Sequence, residues 1–168
     1  MAVYFIANGP APTSAAQAVV TTGNSVKTML QVKASATKTL SILAAGISFD
    51  GSAAATPIKC EFFESDLAAT VTASVQADIV AVDADAVLGG NVTTNLIPVG
   101  TTSTGYTSTT ENMAGAVVRM FDAELVAPTN QYIFKFDAIP VIQVSKFARI
   151  RVTAGAAVNA YCWMLVSV

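Results

Sequence analysis

Histidine is the side chain most often recruited for proton transfer near neutral pH, and none occurs in the 168 residues of this chain. That removes the Ser-His-Asp and Cys-His nucleophile systems and any His-ligated metal site. Ser-Lys and carboxylate chemistry remain open by residue type. Cys60 and Cys162 lie far apart, each in an alternating apolar stretch and without a CxxC spacing. Two buried thiols are expected rather than a disulfide. Glu61 and Glu64 are three apart, and Asp78, Asp83 and Asp85 form the one acidic cluster. Carboxylates in a DxD pattern suit Ca²⁺ or Mg²⁺, but a calcium loop needs more oxygen donors and a set glycine turn, so this cluster reads as a solvated loop tip. Gly89-Gly90 is not followed by the Lys-Ser/Thr of a phosphate loop. Tyr132, Phe134 and Phe136 share one face of an extended run and could stack on bases or sugars. Their alternation with Ile133, Lys135 and Asp137 reads instead as a core stripe. No catalytic, cofactor-binding or metal-binding residue is assigned, and a non-enzymatic protein is expected.

Charged residues make up 12 % of the chain, with a net charge of −2, against roughly 25 % in an ordinary soluble domain. No basic stripe exists to neutralise phosphates, which argues against nucleic acid as a partner. No polybasic segment marks a membrane surface. The uncharged run from Val152 to Val168 is broken by Gly155 and Asn159, so it reads as a hairpin rather than a membrane span. The opening MAVYFIANGPAPTS has no basic region and only a short apolar run, which suggests synthesis in a cytoplasm without a cleaved leader. A surface so poor in charge is expected to be covered by partners, because interface cores are depleted in charge in the same way. The longest uncharged stretches are residues 1–24 and 86–110. They are the expected interface, with Tyr4, Phe5, Ile6 and Tyr106 as candidate contact residues.

The elements that would position these residues are strands. Residues 1–24 carry Gly9, Pro10, Pro12 and Gly23 and read as an irregular arm before one domain, 25–168. From Ser25 the period is two: Val26, Thr28, Leu30 and Val32 fall on one face, Lys27, Met29, Gln31 and Lys33 on the other. Residues 39–49 form a second extended run, and after Pro57 Ile58, Cys60 and Phe62 alternate with Lys59, Glu61 and Phe63. Residues 65–80 could begin a helix, but their β-branched side chains favour a strand. Runs at 117–125, 131–136, 147–153 and 157–166 complete the pattern. Arg149 and Arg151 share one strand face, as do Asp122 and Glu124, so these rows either pair across strands or are solvated. Repeated short strands with turn signals predict an all-β protein, a β-sandwich of jelly-roll-like form.

Several stretches together resemble a known family: VTTGNSVKTMLQVKA, IKCEFFESDLAATVTAS, TGYTSTTE, ELVAPTNQYIFKF and FARIRVTAGAAVNAYCWMLV. They are similar to small structural proteins of tailed bacteriophages, especially phages of actinobacteria, that act as head decoration or cement proteins. The resemblance spans most of residues 18–166. It implies a sandwich or jelly-roll subunit, a homo-oligomer and usually a trimer, on the outer capsid surface of the virion. There it would bridge neighbouring copies of the phage major capsid protein and stabilise the shell. The alternatives are another virion component (head–tail, tail, fibre-associated or shell-forming) or a carbohydrate-binding sandwich that would use Tyr106 or Trp163.

Overall fold

The computed structural model describes residues 2–52, 54–83 and 96–168. Asp85, Gly89-Gly90 and the first ten positions of the 86–110 stretch therefore lie outside the described residues.

The early strands are β1 (Val3–Ala7), β2 (Val20–Thr21), β3 (Val26–Lys33), β4 (Leu40–Asp50), β5 (Ile58–Ser65), β6 (Thr70–Ala73) and β7 (Val80–Ala81). The later ones are β8 (Gly105–Thr110), β9 (Val118–Val126), β10 (Gln131–Ile133), β11 (Val141–Ile142), β12 (Phe147–Thr153) and β13 (Asn159–Ser167). They form two antiparallel sheets packed as an all-β sandwich. The first sheet runs β10-β4-β13-β1-β7, with β11 also on β4 and β2 on β13; the second runs β6-β8-β3-β12-β5-β9.

Period-two alternation turns one apolar row of each strand inward. Ala160, Cys162, Met164 and Val166 of β13 and Leu40, Ile42, Ala45, Ile47 and Phe49 of β4 line one wall of the core. Leu30, Val32, Ile58, Cys60, Phe62, Ala148, Ile150 and Val152 line the other. Phe62 lies 5.4–5.5 Å from the rings of Phe121, Phe134 and Phe136. Side chains of this size each stabilise by about 1.5–3 kcal/mol when fully buried. The aromatic stripe at 132–136 is thus core, with Tyr132 set edge-on to Phe134.

Three expectations are corrected. The N-terminal segment is not irregular throughout, because Val3–Ala7 is an interior strand hydrogen-bonded between β13 and β7. Its alternation sends Tyr4 and Ile6 into the core, and the irregular part begins at Asn8. In β3 the single-face assignment fails at a bulge. Ile150 pairs with Leu30 but Arg151 pairs with Thr28, leaving Met29 as the extra residue. A bulge inverts the side-chain phase, so Leu30 and Val32 point inward while Thr28 joins the Arg149 side. Residues 65–80 are neither one helix nor one strand: no helix starts at Ser65-Asp66, and strand β6 is followed by a single 3-10 turn at Gln76–Asp78.

Candidate interface

The two outer faces of the sandwich differ in chemistry. The strands of the β3-containing sheet hold ten charged residues, namely Lys27, Lys33, Lys59, Glu61, Glu64, Arg119, Asp122, Glu124, Arg149 and Arg151. Those of the β13-containing sheet hold one, Asp50, at the end of β4.

The charged sheet covers its outer face over β3 and β12 with its own chain. Arg149 is fully buried. Its guanidinium donates to Thr28 Oγ1 at 2.7 Å, to the carbonyls of Asn112 and Leu67 at 3.3 and 3.4 Å, and to Glu111 in a short ion pair. It also sits 5.4 Å from the centre of the Phe63 ring. Burial, the largest influence, lowers its pKa, and the Glu111 charge opposes that. Gln31 donates to the Ser103 carbonyl at 2.7 Å and accepts from Ala69 N–H at 2.8 Å. These bonds pin the loops after β5, before β8 and after β8 over the sheet. Arg151 pairs with Glu61 at 2.8 Å, and Lys59 pairs with the same carboxylate at 2.8 Å. Burial would raise the Glu61 carboxyl, but hydrogen bonds and charge from Lys59 and Arg151 hold it below its ordinary value. The pairing of the arginine row with Asp122 and Glu124, one of the two sequence readings, does not form, because β5 lies between β12 and β9. Asp122 instead accepts from Tyr132 O–H at 2.9 Å and Lys135 N–H at 2.8 Å.

The uncharged sheet presents Phe5, Leu43, Trp163 and Leu165 outward. All are partly exposed and none belongs to the core cluster. Phe5 and Trp163 are stacked at 5.8 Å with 22° between ring planes. Gly46 lets the indole lie flat on the sheet, since a Cβ there would stand 2.9 Å from both Trp163 Cζ2 and Ile133 Cδ1. Ile133 and Tyr161 extend the surface, at 50 % and 41 % exposure. Among the described residues no ion pair lies on this face. At one end a pocket of ≈ 220 Å³ opens beside Asp50, Asn159, Tyr161 and Val19.

Of the four candidate contact residues, Phe5 alone belongs to this surface. Tyr4 and Ile6 are buried, and Tyr106 packs inward against the core from β8. Trp163, Leu165 and Ile133 lie on this surface and were not among those four candidates. For Trp163 and Leu165 the signal was present: β13 is apolar at both alternating sets of positions, a pattern common in strands covered on both faces.

The carboxylates do not form a reactive pair. Glu61 and Glu64 belong to opposite sides of β5, and Glu64 is held by Arg119 at 2.6 Å and by Gln143 N–H at 2.9 Å. Asp78 accepts from Val75 and Ala11 N–H groups at 2.8 and 2.9 Å. Asp83 accepts from Val3 N–H at 3.0 Å. Cys60 and Cys162 are free and buried. Burial pushes the Cys60 thiol up to about 12 and raises that of Cys162 well above its usual value, so neither is a ready thiolate. Comparison with family models, with characterised proteins and with solved structures finds no match for this chain.

Proposed function

We propose that this chain is a non-enzymatic structural protein of a tailed-phage virion. In this reading it is a capsid decoration protein that docks on the outside of the head and bridges copies of the major capsid protein. The observation that carries the reading is the separation of charge between the two sheets. One outer face is covered over β3 and β12 by the chain's own loops and ion pairs, while the other offers Phe5, Trp163, Leu165, Ile133 and Tyr161 with no charge among them. An uncharged aromatic surface fits the core of a protein interface, where aromatic residues are enriched and charges are rare. The sequence resemblance supplies the identity of the partner and the trimeric state. Many copies on one shell let each contact be individually weak.

The test is rebinding of purified protein to expanded shells that lack it, and to unexpanded shells. Saturable binding to expanded shells alone, at a copy number set by the lattice, is expected. Trp163 is the sole tryptophan, so its emission should change on binding, and Tyr161→Asp should weaken binding about tenfold. Purification with tails, or no binding to either shell, overturns the reading. The pocket beside Asp50, Asn159 and Tyr161 favours one second reading, a carbohydrate-binding sandwich. In that case Tyr161 would stack on a sugar ring, and Tyr161→Ala would abolish a saturable sugar-dependent shift.

A further inference from the structure

A strand at the border of a sheet leaves one row of N–H and C=O groups unpaired, and monomeric proteins keep such edges short or place lysine or proline on them. The borders formed by β2, β7, β10 and β11 are two or three residues long. β6 has four residues and two register shifts against β8. β9 is different: it runs for nine residues, pairs among the described residues only with β5, and contains neither lysine nor proline.

The side chains of β9 are self-complementary. Val118, Met120, Ala123 and Leu125 stand opposite Ser65, Phe63, Glu61 and Lys59, so they share the outer face of the sheet. Arg119 and Glu124 stand opposite Glu64 and Cys60, on the other side. The bulge that seats Phe121 against Phe62 creates this phase change at the middle of the strand. Consider two β9 strands antiparallel about a point between Phe121 and Asp122. Val118 then faces Leu125 of the second copy, Met120 faces Ala123, and Arg119 faces Glu124. Apolar meets apolar on one face and opposite charges meet on the other. A parallel arrangement would set Arg119 against Arg119 and the acidic half against itself.

We propose that the free edge of β9 pairs antiparallel with β9 of a second copy of this chain, joining two six-stranded sheets across a twofold axis. Met120 and Leu125, 51 % and 65 % exposed in the single chain, become the apolar centre of the contact. The Leu125 N–H, occupied at 3.0 Å by the Glu124 carboxylate of its own strand, turns to a carbonyl of the second copy. This releases Glu124 to meet Arg119. The contact is isologous and separate from the docking face. A threefold assembly would therefore be joined to its neighbours through it, and the free protein would have an even number of chains.

Sedimentation equilibrium of the purified full chain at high micromolar concentration tests this. An even-numbered mass is expected, with association weakened at least about tenfold (1.4 kcal/mol) by Met120→Lys with Leu125→Lys. Both positions are exposed, so the double variant should unfold at the same denaturant midpoint as the parent monomer. Met120→Cys with Ala123→Cys should give covalent dimers on mild oxidation, because Cys60 and Cys162 are buried. A monomer, an odd-numbered assembly, a mass unchanged by the two lysines, or no cross-link overturns the proposal. Shell rebinding by the lysine variant separates the two readings, since loss of pairing with retained docking removes only this contact.

Discussion

Arg149 sits where a solvated arginine was one of two sequence expectations, yet it has no exposed surface. A buried guanidinium is tolerable only when its donors are filled. Here they reach Thr28, Glu111 and the carbonyls of Leu67 and Asn112. Arg149→Met should destabilise the fold by about 3 kcal/mol, because Glu111 and two carbonyls lose their donor. Arg149→Lys should recover little, since an ammonium cannot fork to separated acceptors. Urea denaturation of the three proteins checks both. Glu61 gives a pH prediction. Its folded carboxyl titrates below the unfolded value of about 4.3, so its stabilisation is present above that pH and disappears as pH falls through the lower folded value. Glu61→Gln should cost about 1–3 kcal/mol near pH 7 and flatten the acid loss of stability below about pH 4. Melting curves across that range report the difference.

At the scale of elements, the strands were legible wherever alternation was strong and turn residues bounded it. The 147–153 run is β12 as expected, and 39–49 and 157–166 match β4 and β13 within two residues. The bulges in β3 and β9 and one glycine were not legible, since a bulge depends on the partner strand and leaves no residue signature. Gly105 marks a close approach of β8 to β6: a Cβ there would lie 2.3 Å from the Thr72 carbonyl oxygen. Gly105→Ala should therefore separate β6 from the sheet edge at a cost of about 2 kcal/mol. Amide exchange should show loss of protection in β6 before any other strand. β1 shows the reverse error. Glycine and proline after position 8 suggested an arm, although five residues before them suffice for an interior strand.

Over the whole molecule, the charges gather on one sheet and the bare aromatics on the other. This asymmetry has a consequence for binding. A contact made through an uncharged surface is screened little by salt, because screening acts on charges. Attachment to shells should change less than about threefold between low and physiological ionic strength, as read by co-sedimentation with particles. A strong salt dependence would move the contact to the charged sheet. Self-pairing through β9 includes two Arg119–Glu124 contacts and should weaken measurably over the same range, which separates the surfaces by a second criterion.

Composition and periodicity were enough to determine an all-β protein without histidine chemistry and with few charged residues. Those properties are sums over residue types and local alternation, so they survive without knowledge of neighbours. Which surface carries the deficit was decided only by the tertiary structure. Tyr4, Phe5 and Ile6 are adjacent in sequence, yet pairing with β13 buries two of them and turns Phe5 onto Trp163, 158 positions away. The order of strands likewise put β5 between the arginine and aspartate rows and left β9 at the border. Strand order follows from the joint packing of two sheets, and no local window of sequence contains it.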